Sequence, residues 1–157
     1  MTNLKSVRVS KQLTQREAAK ELGISLRSYV SYENDPEKKN TIKYNYLLYE
    51  LEQRFRIDEE HGILTIDSIV DKCFPIFERY KTNYCYLFGS YAKGTATEKS
   101  DVDLLISTGI SGLKFYSLAE ELREGLNKNI DILDIKQLNN NELLLDEILK
   151  YGIKIYG

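Results

Sequence analysis

Leu87-Phe88-Gly89-Ser90-Tyr91-Ala92-Lys93-Gly94, then, after a short polar turn, Lys99-Ser100-Asp101-Val102-Asp103-Leu104-Leu105-Ile106, is the stretch on which fold and chemistry both turn. It opens on a strand, 84–88, rich in aromatic and apolar residues, which ends at the Gly89-Ser90 turn. Gly89 lacks a Cβ, so its backbone can come close to a phosphate chain. Ser90 adds a hydroxyl donor and opens a helix, whose first amides favour anions. Asp101 and Asp103 stand two apart at the head of a second strand, 102–106, which points both carboxylates to one face. Hard oxygen ligands at that spacing can bridge divalent ions roughly 3.5–4 Å apart. A third strand, 130–135, supplies Asp131 between Ile130 and Ile132. Asp134 is three residues further along and faces the other way, which favours Asp131 as the third carboxylate. Turn capping, or pairing with Lys93 or Lys99, explains one such aspartate; three together repel unless a cation compensates.

Outward from this centre, 66–80 reads as a helix that Pro75 bends, and 117–126 alternates apolar and acidic groups at helical spacing. A helix over 141–150 and a short strand over 153–156 close the chain. Upstream, Leu4, Val7 and Leu13 mark one apolar helical face. Thr14 stands three residues before Glu17 in a capping box, and Gly23 stops that second helix. Ser25 caps a third helix from Leu26 to about Glu33. A fourth, after Thr41, carries Leu47, Leu48, Leu51 and Phe55 as a buried stripe. The tyrosines at 44, 46 and 49 are read as packing and rim of that helix rather than as stacking residues. Polar Arg56 to Gly62 separates the two patterns. The expected organisation is α+β: an all-α domain over 1–57, a linker over 58–63, and a small α/β domain with a mixed sheet over 64–157.

The totals agree with a globular chain. Its 157 residues are 42% apolar and 29% charged, and no apolar run nears the ~18 residues that cross a bilayer. The N-terminus lacks the apolar core of a secretory signal, so the cytoplasm is the expected compartment. Cys73 and Cys85, without CxxC spacing and with a single His in the chain, read as buried thiols rather than a zinc site or disulfide. Residues 1–56 hold 11 Lys and Arg against 7 Asp and Glu; residues 57–157 hold 11 against 17. A basic front and an acidic rear suggest two modules with different partners.

The string LFGSYAKGTATEKSDVDLLI, with Gly89-Ser90, ten residues, then Asp101-Val102-Asp103, resembles the GS-x10-DxD motif of the DNA polymerase beta-like nucleotidyltransferases. Over about 64–157 the chain looks like their minimal, MNT-type members, which are often paired with a HEPN protein. The resemblance implies phosphate contacts from Gly89 and Ser90, and metal ligation by Asp101, Asp103 and Asp131. It implies two magnesium ions, with ATP as nucleotide donor. Lys93 matches a position usually basic in these proteins, where it contacts a phosphate or lies solvated. The family's antitoxin members adenylylate a tyrosine on a HEPN toxin, so a toxin partner and a protein hydroxyl acceptor are expected here. Two rival readings are a transcriptional regulator with a silent transferase fold and a small-molecule (drug) adenylyltransferase.

Thr14-Gln15 through Gly23-Ile24-Ser25 to Tyr32-Glu33 resembles the helix-turn-helix of the lambda-repressor-like (Xre) family. That implies DNA binding for autoregulation, with Gln15 on the phosphate backbone and Ser25, Leu26, Arg27 and Ser31 facing the major groove. Arg27 is the guanine reader and Ser28 a phosphate contact. Leu26 departs from the pattern, which more often places a polar residue there. One such module makes few contacts, so a homodimer on a two-fold site is expected, or an assembly with the toxin. Arg56-x4-His61 matches the spacing of HEPN nucleases but has no helical bundle around it.

Overall fold

The computed structural model describes residues 2–157, which fall into two compact units that divide between Arg56 and Ile57. In the first, the helices are α1 Leu4–Ser10, α2 Gln15–Glu21, α3 Leu26–Asn34 and α4 Ile42–Arg54. Each starts where a short polar side chain accepts an otherwise orphaned amide: Asn3 from Ser6, Thr14 from Glu17, Ser25 from Ser28, Thr41 from Tyr44. The Thr14–Glu17 box is reciprocal, as its spacing requires. Gly23, at φ +66, turns the chain from α2 towards α3. A single 3-10 turn, Pro36–Lys38, fills the break after α3.

Leu4, Val7, Ala18, Ala19, Tyr29, Tyr44, Leu47 and Leu51 make the core of this unit. The α4 stripe differs in detail from expectation: Tyr44 joins it, while Leu48 and Phe55 lie half-buried at its edge. Tyr44 Oη accepts the Leu4 amide at 3.2 Å, a partner that makes its burial tolerable. Tyr46 and Tyr49 are exposed. Glu33 is buried, and Arg8 grips it with Nε and Nη2 at 2.8 and 2.9 Å. That bidentate pair ties α1 to α3.

The second unit holds α5 Ile66–Arg79, β1 Tyr84–Phe88, α6 Gly89–Lys93, β2 Val102–Ser107, α7 Leu113–Leu126, β3 Ile130–Asp134, α8 Glu142–Tyr151 and β4 Ile153–Tyr156. The sheet is mixed, in the order β3-β2-β1-β4; β1 runs antiparallel to β2 and β4, and β2 parallel to β3. Helix α7 begins at Leu113, four residues earlier than its sequence pattern indicated, because Leu113 and Tyr116 are exposed and blur the periodicity. Strand β3 stops one residue early: Asp134 accepts the Lys136 amide and starts a 3-10 turn, Ile135–Leu138.

Alternation along the strands sorts the two faces. Cys85, Leu87, Val102, Leu104 and Ile106 point into a core with Ile69, Cys73, Phe77 of α5 and Leu118, Leu122 and Leu126 of α7. Phe88 and Leu105 point the other way, against Ile148 of α8 and Leu133. Both cysteines are free and buried, and burial pushes the Cys73 thiol up to about 12. Among the described residues, no helix is long and apolar enough to cross a membrane.

Candidate active site

The face covered by α8 is also where the acidic residues gather. Strand register sets Asp103 opposite Phe88 on β1 and beside Asp131 on β3. Parallel neighbours sit about 4.8 Å apart with side chains on the same face. Gly89 follows Phe88 directly, at φ +69, and a Cβ there would fall 2.0 Å from Asp103 Oδ2. Only glycine lets the turn lie against that carboxylate. Asp101, exposed, immediately precedes β2.

Asp103 registers this crowding. Its carboxyl is pushed up to about 6, first by desolvation and then by the charges of Asp131, Asp101 and Glu147. Both other expected carboxylates therefore bear on Asp103, and a further one, Glu147 on α8, joins them. Glu147 had no visible signal, lying in a helix of ordinary surface pattern 44 residues beyond Asp103. Its Oε1 pairs with Lys93 Nζ at 2.5 Å. Asp134 is occupied elsewhere, as the cap of the 3-10 turn.

The loop that delivers Asp101 is fixed along its length. Gly94 leaves α6 at φ +72, and the Thr95 amide donates to Ser90 O at 2.9 Å. Thr97 N donates to Ser100 Oγ at 2.8 Å, and Val102 N to Asn129 O at 2.9 Å. Lys128, only 1% exposed, donates from Nζ to Glu98 O at 2.6 Å and to His61 O at 3.1 Å. Burial draws its pKa down, against the pull of Asp58 and Glu98. The Gly62 amide adds a bond to Glu98 Oε1 at 3.2 Å. The stretch expected as a linker, 58–63, is thus bonded into this loop, and His61 Nδ1 lies 2.8 Å from Asp58 Oδ1.

The donor set suits magnesium: carboxylate oxygens gathered about half-buried Asp103, with repulsion on it that a divalent ion would relieve. Among the described residues, no three Asp, Glu, His or Cys side chains form a ready cage for a metal ion. Magnesium rarely needs one, since it binds through one or two carboxylates and completes its shell with water and substrate phosphates.

In the helical unit, Leu26 and Arg27 stand exposed at the start of α3. The Ser25 side-chain oxygen is engaged as the cap, accepting the Ser28 amide at 3.1 Å. Ser31 Oγ is bonded by Lys38 Nζ. The Gln15 side-chain amide donates to buried Glu33 at 2.9 Å, adding to what Arg8 gives that carboxylate. Lys38 and Lys43, which no sequence motif marks, flank the Tyr32 ring at 5.0 and 5.4 Å.

Comparison with known proteins matches residues 71–157 to the family described as Polymerase beta, Nucleotidyltransferase, and residues 4–42 to Helix-turn-helix. A Methanocaldococcus jannaschii relative named "Putative protein adenylyltransferase MJ0435" is 33% identical over 94 residues, 59% of this chain and 99% of its own. Protein adenylyltransferase MntA of Shewanella oneidensis is 28% identical over 79 residues, 49% of this chain and 55% of its own. A crystal structure of a toxin-antitoxin with AMP-PNP is similar at 24% identity and a TM-score of 0.48, over 56% of this chain and 73% of that one. With the family matched over more than half of its length, including the residues that gather the acidic side chains, the chain belongs to the polymerase beta nucleotidyltransferases.

Proposed function

We propose that this chain transfers AMP from ATP to a hydroxyl group on a protein, and that the acceptor is a HEPN-type toxin. The observation that carries the chemistry is Gly89 lying against Asp103 with Asp131 alongside in register. The names of the two relatives support the choice of adenylyl group and protein acceptor, and the motif resemblance supports the toxin.

In this reading Asp101, Asp103 and Asp131 would hold magnesium, which would neutralise the phosphates and stabilise charge as it develops. Gly89 and Ser90 steady the phosphate chain, with Lys93 as a nearby cation. The acceptor oxygen bonds to the α-phosphorus as the α–β bridging bond breaks, and pyrophosphate departs in line. Asp131, exposed at the rim, takes the hydroxyl proton. The test is mass spectrometry of the co-expressed neighbouring toxin. A gain of one or more AMP groups is expected with the native chain and none with Asp101→Ala; equal labelling by both would refute the assignment.

The helical unit is the DNA-binding part, with Arg27 and Leu26 reading the groove and Ser28 with Lys38 and Lys43 at the backbone. Gel shifts on the promoter of its own operon test this, and an unshifted probe at low salt would count against it.

A further inference from the structure

Lys93 closes α6, one helical turn from Gly89. Two groups on α8 receive its ammonium: Glu147 Oε1 at 2.5 Å and the Tyr151 ring, whose centroid is 5.4 Å away. Positions 147 and 151 lie on one face of that helix, so they form a single seat. Glu147 also stands close enough to Asp103 to act on its charge.

We propose that Glu147 and Tyr151 are the resting place of Lys93, and that the outer phosphates of an incoming nucleoside triphosphate compete with Glu147 for its ammonium. The inference rests on the nucleotidyltransferase reading and concerns how that site holds its substrate. The pair suits exchange. Side-chain exposures of 37% and 32% leave it open to water, where an ion pair is weakly held. A terminal phosphate offers more charge and more acceptor oxygens than a carboxylate. Lysine, a point charge on a flexible stem, can swing between the two without a fixed fork geometry. Glu147 is a positioning residue here. It touches no substrate, and it sets the resting partner that the substrate must displace.

The test is calorimetric titration of the full chain with magnesium and the α,β-methylene analogue of ATP, which cannot transfer its adenylyl group. Four proteins are compared: native, Glu147→Gln, Lys93→Ala and the double variant. Glutamine keeps the size of Glu147 and removes its charge, so Glu147→Gln is expected to tighten binding by about three- to fivefold. In the Lys93→Ala background the same change is expected to shift affinity by less than about twofold. AMP, which lacks outer phosphates, is expected to bind native and Glu147→Gln proteins alike. Equal tightening in both backgrounds would mean a general field effect and overturn the proposal, as would no tightening at all. A native chain that fails to bind the analogue would overturn the nucleotidyltransferase reading itself, whereas binding with no Lys93–Glu147 coupling would overturn only the resting-place inference.

Discussion

Asp103→Asn is expected to make the protein more stable as it destroys activity. Ionised Asp103 is disfavoured in the folded chain, its carboxyl being raised from 3.8 to about 6. A raised carboxylate pKa means the folded state binds the proton more tightly than the unfolded one. Stability is therefore lost as pH climbs from about 4 to about 6, and the full penalty applies above that. The rise corresponds to roughly 3 kcal/mol, at about 1.4 kcal/mol for each tenfold change in proton affinity. The carboxylate is only half-buried, so solvent screening reduces this to about 1–2 kcal/mol. For a unit of this size that is a rise in Tm of about 5–10 °C. The assay is thermal melting of native and variant chains in EDTA, at about pH 4 and about pH 7.5. The variant is expected to melt higher at the upper pH, with the gap closing at the lower. A variant no more stable at pH 7.5, or a gap independent of pH, would refute the repulsion argument.

Other perturbations reach different parts of the molecule. Gly89→Ala puts a methyl into the Asp103 carboxylate at a left-handed φ; adenylyl transfer, followed by labelled ATP, should fall at least about a hundredfold. Arg8→Met leaves the buried Glu33 charge without its main partner and should cost about 3–5 kcal/mol in chemical denaturation of the helical unit. Arg27→Ala should weaken promoter binding by about 1–3 kcal/mol in titrated gel shifts, with relaxed sequence preference.

The element order was legible because caps and alternation are local. Thr14, Ser25 and Thr41 each mark a helix start within three residues, and the pleat alone separates Asp131 from Asp134. Gly89 announces a close backbone approach, expected towards a phosphate, and in the fold it lies against the Asp103 carboxylate as well. Relations across the fold had no such signature. Glu147 reads as one more surface acid on a helix, and only the packing of α8 across the β1-β2 face brings it to Asp103. Arg8 and Glu33 are 25 residues apart, and what unites them is burial. The bond from Gln15 to Glu33 depends on that same burial.

Lys128 bears on where such a chain can be cut and rejoined. Its ammonium has two carbonyl partners, one on His61 and one on Glu98. A splice between Ile63 and Leu64 would respect the sequence pattern, yet it would discard the first of them and leave a buried cation short of a carbonyl partner. Any recombination that grafts another DNA-reading head onto this catalytic body should therefore keep everything from Ile57 onward, so the functional joint lies upstream of the polar stretch.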